Sequence, residues 1–531
     1  MNRRSFIGTV AGAAAAAQAP AKKPNIVVIM ADDMGFSDIG CYGSEIETPH
    51  IDSIARKGVR FTHMYNTARC CPTRASLLTG LYSHQAGMGR MVEDLGKPGY
   101  RGFLNEQCVT LGEALRPAGY RTLMTGKWHV GERRPHWPVD RGFDRYYGLI
   151  SGASNYFSSE PGRQMALDSE PAKAGGDDFY ITDAFTDHAV RFMDDRKPGQ
   201  PFLLYLAYTA PHWPLHALER DIRKYRDRYR MGWDQLRRER HARMLRLGLV
   251  DEKWPLSPRD PQGKAWDTVD DKEWQARRMA VYAAQIDRMD QNIGRVLAKL
   301  KAMGEEENTL ILFLADNGGC AEPIAPGFRG LQGKVHTDDG KVVQYGNVPG
   351  VWPGAGDTFA SYGLEWANAS NTPFRQYKST VHEGGIATPL VAQWPAGISA
   401  RNKIVNQTGH VIDIMPTCLD AAAQAYPRTH KGQEIVPVSG ESLRPAFSGQ
   451  PFARKSPLFW EHIGNRAVRD GDWKLVARSQ RPWELYNMRA DRTELRDLAL
   501  SQPGEVARLT ATYDAWAKRC NVLPVDQLRK G

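Results

Sequence analysis

The sequence predicts an α/β protein: a large, mainly parallel sheet flanked by helices, then a small C-terminal antiparallel sheet with one packed helix. Three observations carry this reading. Short apolar runs at 26–30, 121–124, 202–207, 310–314 and 389–393 alternate with helical patterns, and continuous apolar runs mark strands buried on both faces. Polar side chains able to do chemistry follow the carboxyl ends of these runs, where open parallel sheets bind their ligands. From about Ser456 the pattern changes to short strands around an Asp470-Gly471 turn, a hairpin signal.

In chain order, residues 1–20 read as an export signal: Arg3-Arg4 precede Ser5-Phe6-Ile7 and a weakly hydrophobic alanine run. The arginine pair resembles a twin-arginine signal, which exports folded proteins, so a periplasmic or secreted location is expected. No later apolar run is long enough to span a bilayer. The run 26–30 ends in Ala31-Asp32-Asp33. Thr48-Pro49 opens a helix that Gly58 closes, with Thr48 as N-cap and Pro49 at the first helical position. Thr110 and Glu113 form a capping box for a helix ending near Gly119. The strand at 121–124 leads to Gly126-Lys127-Trp128-His129, that at 202–207 to Pro211-His212, and that at 310–314 to Ala315-Asp316-Asn317-Gly318. A long helix over about 274–301 keeps Ile286, Met289, Ile293, Val296 and Leu300 on one face. The main domain is assigned to 24–440 and a C-terminal α+β subdomain to 456–531, with strands within 467–476 and 483–486 and a helix over 504–520.

Two insertions interrupt the alternation. Residues 220–246 are dense in arginine with interspersed acids and read as a solvated mixed-charge helix rather than a nucleic-acid surface. Residues 322–367, rich in Gly, Asn, Pro and Trp, form a loop whose length points to function; it is expected to wall the substrate pocket.

The 531 residues are 41% hydrophobic and 24% charged, ordinary for a soluble globular chain. The formal charge of +10 suits an anionic substrate, though charge alone does not choose one. The seven scattered cysteines show neither a disulfide framework nor zinc spacing.

The richest stretch is 70–81, C-C-P-T-R-A-S-L-L-T-G-L, in which Cys70, Pro72 and Arg74 give C-x-P-x-R ahead of Leu78-Thr79-Gly80. Pro72 has a preset φ and no N–H, which suits the first turn of a helix continued by 73–78. Cys70 then lies at a helix N-terminus, where unpaired N–H groups favour an anion. Arg74, one turn in, is placed to orient a nucleophile and neutralise charge. Asp32, Asp33, Asp316 and Asn317 offer only oxygen ligands from two strand ends, a hard donor set that selects Ca²⁺ or Mg²⁺ over zinc. The sheet geometry gathers these four with Lys127, His129 and His212 into one site.

These motifs resemble the signature of the type I, formylglycine-dependent sulfatases, closest to bacterial arylsulfatases, within the alkaline-phosphatase-like superfamily. The resemblance covers nearly the whole chain after the export signal. It implies that Cys70 is oxidised to Cα-formylglycine by a formylglycine-generating enzyme, and that the hydrated aldehyde is the nucleophile. It implies calcium held by Asp32, Asp33, Asp316 and Asn317 with modified Cys70 as a further ligand. It makes Lys127 in G-K-W-H and Lys378 in Y-K-S-T-V-H-E-G-G sulfate-binding groups. His129 holds the hydrate and assists its deprotonation, while His212 in A-P-H-W-P protonates the leaving oxygen. Two positions depart from the pattern: Thr73 stands where Ser is commoner, and Ala387-Thr388 where many relatives carry Arg-Val. The implied activity is sulfuric ester hydrolysis on a small-molecule or saccharide sulfate ester, with no nucleic-acid partner. A phosphate or phosphonate ester hydrolase of the same superfamily is the enzymatic alternative. A non-catalytic sulfated-glycan-binding protein is the other, and it would need neither Cys70 nor the metal carboxylates.

Overall fold

A computed structural model describes residues 22–528 apart from Asp177, 330–332 and Pro451; the export signal expected at 1–20 lies outside the described residues. The main sheet contains β1 (Asn25–Ala31), β2 (Val59–Tyr65), β3 (Arg121–Gly126), β4 (Arg145–Leu149), β5 (Met165–Leu167), β6 (Glu170–Ala172), β7 (Phe202–Ala207), β8 (Thr309–Ala315), β9 (Ala387–Gln393) and β10 (Lys403–Val405). Their spatial order is β10-β2-β9-β8-β1-β7-β3-β4-β5-β6, and Gly409–His410 also pairs with β2. β1 is central and parallel to both β7 and β8, while β9 runs antiparallel to its neighbours β2 and β8.

The apolar runs become strands because both faces of the sheet are covered. Val27, Ile29 and Ala31 of β1 enter one core, and Ile26, Val28 and Met30 enter the other. The flanking helices include α1 (Pro49–Lys57), α2 (Cys70–Thr79), α3 (Ile181–Phe192), α4 (Gly232–Arg246) and α5 (Lys272–Ala302). On α5, Ile286, Met289, Ile293, Val296 and Leu300 are all fully buried, as the period of 3.6 requires.

Several local readings are refined. The capping box closes, with Glu113 N–H donating to Thr110 Oγ1 at 3.1 Å and Thr110 N–H to Glu113 Oε2 at 2.9 Å. Its helix is a single turn, Leu111–Leu115, continued as 3₁₀ to Ala118 before Gly119. α1 starts at Pro49, but Thr48 does not cap it through its hydroxyl. Thr48 Oγ1 instead accepts from Gly40 N–H at 2.8 Å and donates to Asp52 at 3.0 Å. β2 reads V-R-F-T-H-M-Y and is buried along its whole length, yet its mixed composition gives no apolar run.

The arginine-rich insertion is solvated along most of its arginines, including Arg220, Arg223, Arg230, Arg238 and Arg246, but not at two positions its charge pattern did not single out. Arg240 of α4 is wholly buried, 2.6 Å from Asp38 and 2.8 Å from Glu45, and Arg237 is buried with its guanidinium on the Ser257 carbonyl at 2.8 Å. α4 packs against the helix Leu364–Ser370 and the loop after β1, so Arg240 and Arg243 supply counter-ions to distant carboxylates.

The C-terminal sheet has strands Leu458–His462, Asn465–Asp470, Trp473–Ala477 and Glu484–Asn487, antiparallel and in sequence order. Helix Pro503–Arg519 lies on it, with Trp516 stacked on Phe459 at 4.9 Å. The sheet joins the main body through buried ions: Lys474 lies 2.9 Å from Glu383 and 2.8 Å from Glu494, and Arg492 lies 3.0 Å from Glu383. Burial pushes the Glu383 carboxyl up, but Lys474 and Arg492 outweigh it and hold the group at about 2. All seven cysteines are free. Among the described residues, no helix is long and apolar enough to cross a membrane.

Arg240 provides a test of this packing. Arg240→Ala leaves Asp38 buried without its cation and Glu45 with Arg243 alone, so unfolding free energy should drop by about 3–5 kcal/mol. Denaturant titration measures it; a loss below about 1 kcal/mol, as for an exposed pair, would mean the site is solvated.

Candidate active site

The in-register pairing of β1 and β8 sets Ala31 opposite Ala315, so Asp32-Asp33 and Asp316-Asn317 leave the sheet side by side. Asp33 N–H donates to Asp316 Oδ1 at 3.1 Å, and Asn317 Nδ2 to Asp33 Oδ1 at 2.7 Å. β3 ends at Gly126, whose φ is 102° and where a Cβ would sit 1.9 Å from the Ala207 carbonyl oxygen. Only glycine fits there, and it delivers Lys127, whose Nζ donates to Asp32 Oδ2 at 2.6 Å. Asp33 and His129 adopt left-handed backbone, φ 64° and 58°, a conformation that clusters at functional sites.

α2 begins at Cys70, with Pro72 inside its first turn. Thr73 Oγ1 accepts from Thr67 N–H at 3.0 Å, which ties the helix start to the preceding loop. Arg74 is committed to the carboxylate cluster: its guanidinium donates to Asp316 Oδ2 at 2.8 Å and the Lys127 carbonyl at 2.9 Å, and lies 3.7 Å from Asp32.

His212 follows β7. Its Nδ1 lies 2.6 Å from the Trp213 carbonyl; a carbonyl only accepts, so Nδ1 carries the hydrogen and Nε2 faces the site. Nε2 is 3.3 Å from Asp33 Oδ2 and 3.3 Å from Lys378 Nζ. Lys378 enters from the segment before β9 and contacts both Asp33 oxygens, at 2.7 and 2.8 Å. The structure thus brings together all ten residues singled out from the sequence.

Burial dominates the electrostatics. It raises the Asp32 and Asp316 carboxyls, against the pull of Lys127 and Arg74. Burial also pushes Asp33 up, yet His212, Lys378 and the Asn317 hydrogen bond together keep it well below the usual carboxylate range. Burial lowers His129 and His212 to about 4 each. A hydrogen bond from Cys71 leads in holding the Cys70 thiol well below its usual range; burial opposes it, and Lys127 and His129 add to it. Burial and the neighbouring Cys70 raise the Cys71 thiol.

The same residues fit a hard cation. Asp32 Oδ1 and Asn317 Oδ1 are buried without a hydrogen-bond partner, an arrangement that calls for a ligand. Ligand atoms of Asp32, Asp33 and His212 lie within 4.8 Å of one another, as do those of Cys70, Cys71 and His129.

Other neighbours carried no sequence signal. Gly152 makes room for His129, since a Cβ there would meet the imidazole at 2.5 Å. Arg69 bridges Glu322 at 2.5 Å and Ser379 at 2.8 Å. Phe359, in the long insertion, packs edge-on against Trp213 at 5.8 Å, so that loop reaches the flank of His212. A cavity of about 720 Å³ between Trp254, Arg454 and Arg469 contains none of the ten.

A mostly parallel sheet gathers carboxylates, lysines and histidines at its carboxyl edge into one buried site suited to an anionic substrate. Residues 24–425 match the family model described as Sulfatase, and 375–510 match that of the N-sulphoglucosamine sulphohydrolase C-terminal region. The chain is 36% identical to an uncharacterized sulfatase of Schizosaccharomyces pombe over 94% of both chains. It is 34% identical to the arylsulfatase of Klebsiella aerogenes, over 86% of this chain and all of that one. The solved structure of Ps i-CgsB in complex with k-i-k-neocarrahexaose superposes with TM-score 0.67, at 26% identity over 93% of both chains. The chain belongs to the sulfatase family and is a sulfuric ester hydrolase.

Cys70 occupies the first position of C-x-P-x-R and Cys71 its variable one, and that gives a test. Cys70→Ala should abolish turnover of an aryl sulfate, whereas Cys71→Ala should keep most of it. Equal losses in two folded proteins would overturn the assignment of position 70.

Proposed function

We propose that the protein cleaves sulfate monoesters of aryl or saccharide alcohols through a formylglycine made from Cys70 and a divalent cation, Ca²⁺ or Mg²⁺. Asp32, Asp33, Asp316 and Asn317 would hold the cation, with modified Cys70 as a further ligand. One observation carries the reading: the Cys70 thiol stands at a helix N-terminus, faced by Lys127 and His129, beside the unpartnered oxygens of Asp32 and Asn317. Once formed, the formylglycine hydrate supplies an oxygen nucleophile, and a bound cation polarises the sulfate oxygens.

The chain's own groups do the rest. Lys127 and Lys378 turn from Asp32 and Asp33 to the sulfate oxygens, which frees those carboxylates for the cation. Arg74 fixes Asp316 and the Lys127 backbone, so the lysine approaches from one direction. His129 takes a proton from the nucleophile. His212, whose Nδ1 hydrogen is held by the Trp213 carbonyl, gives a proton to the leaving oxygen from Nε2.

The substrate class follows two relatives, one named an arylsulfatase and one solved with a neocarrahexaose. Maturation requires a formylglycine-generating enzyme, and export of the folded chain by its twin-arginine-like segment fits modification beforehand. The division into a main domain, 24–440, and a C-terminal subdomain, 456–531, belongs to the same reading.

Turnover of an aryl sulfate should exceed that of the matching aryl phosphate. Activity and melting temperature should fall together on exhaustive chelation and recover with Ca²⁺, because an ion that binds only the folded state stabilises it. Faster phosphate turnover would overturn the sulfate assignment, and indifference to chelation the cation.

His212 is tested with esters of rising leaving-group pKa. General acid catalysis contributes about a hundred- to ten-thousand-fold, so His212→Ala should cost far more kcat/KM with an alkyl ester than with a nitrophenyl ester. His129→Ala should be less sensitive to the leaving group. A flat His212→Ala penalty would reduce that residue to binding sulfate.

A further inference from the structure

Lys378 is the one member of the cluster that lies neither past a strand end nor on a helix. It sits in a loop whose conformation must be imposed from outside, because Gln376 and Ser379 on either side adopt left-handed backbone at φ 69° and 74°. Neither is glycine, so both positions are strained. The main domain holds part of this loop: Lys378 N–H donates to the Gly319 carbonyl at 3.2 Å, and Ser379 N–H to that of Ala68 at 2.7 Å. Arg69 holds the Ser379 hydroxyl at 2.8 Å.

Asn371 Nδ2 also donates to the Gln376 carbonyl at 3.0 Å, and a further hold comes from the C-terminal sheet. The strands Leu458–His462 and Asn465–Asp470 meet at a tight hairpin, with Ile463 and Gly464 both at positive φ. Asn465, just past its tip, donates from Nδ2 to the Ser379 carbonyl at 3.0 Å and to the His462 carbonyl at 3.1 Å. Its Oδ1 accepts from Ser479 N–H at 3.2 Å. With both ends of the amide engaged, its orientation is fixed, and the donor facing Ser379 cannot be an oxygen. A few residues further along, Glu383 is locked by Lys474 and Arg492 of the same C-terminal region. The hairpin therefore grips the peptide next to Lys378, and the ions anchor the far end of the loop.

We propose that Asn465 is a positioning residue for Lys378: it holds the strained 376–379 loop so that the ammonium points at Asp33, His212 and the sulfate position. The inference rests on the reading of Lys378 as a sulfate-binding group.

The test is a double-mutant cycle on the full chain, with inorganic sulfate as probe in calorimetry and KM for an aryl sulfate alongside. Asn465→Ala, and the isosteric Asn465→Asp should the alanine variant fail to fold, should weaken sulfate binding and raise KM by about tenfold to a hundredfold. The melting temperature should fall only slightly, and kcat should change less than KM. In a Lys378→Ala background the same substitutions should add less than about twofold, since residues acting through one group are not additive. A full additional loss in that background would show that Asn465 acts elsewhere, and wild-type sulfate binding by both Asn465 variants would overturn the proposal outright. If Lys378→Ala itself binds sulfate normally, the sulfate-binding reading of Lys378 falls and this inference with it. If Lys378→Ala binds weakly and the Asn465 variants do not, only this inference falls.

Discussion

The site depends on a charge balance kept out of water. Asp32, Asp33 and Asp316 supply three carboxylates; Arg74, Lys127 and Lys378 supply three cations, and the side chains are at most 2% exposed. Paired charges of this kind bring little net stability, but removing one partner is costly, because the other is stranded in a low-dielectric interior. Arg74 is the hinge of the arrangement. It touches Asp316, approaches Asp32 and holds the backbone of Lys127, so three strand ends share one guanidinium. A dication added to this neutral set gives a positive pocket, suited to the single negative charge of a sulfate ester.

Local strain and global packing act together at the same edge. The left-handed turns at Asp33 and His129 come directly after strands whose side chains are buried on both faces. Such a sheet cannot shift to relax them, since a one-residue slip would reverse which core each side chain enters. Rigid strands thus fix the start of each turn, and the turns aim the functional groups.

What was legible in the sequence follows from this division. β1, β7 and β8 could be read because burial on both faces demands unbroken apolar runs. β2 could not, because Arg60, Thr62 and His63 are buried by tertiary contacts that no periodicity records. Residues after strand ends were found through sheet geometry, while Lys378, which has no strand before it, came only from its motif. Arg240 looked solvated because its counter-ions, Asp38 and Glu45, lie some two hundred residues away in the chain. Gly152 and Asn465 matter through single contacts with distant partners, and residue type alone cannot announce such contacts.

The ion lattice around Glu383 also has a meaning in time. Lys474 lies 91 residues after Glu383 and Arg492 lies 109 after it, so during synthesis every strand of the main sheet leaves the ribosome before the cations that neutralise this carboxylate. Until they arrive, Glu383 cannot be buried at low cost, and the loop is held only by its contacts with Gly319, Ala68 and Arg69. A partly made chain can carry the whole motif set and still lack a finished site. The carboxylate at the end of the Lys378 loop is therefore paired only after the last sheet has been made.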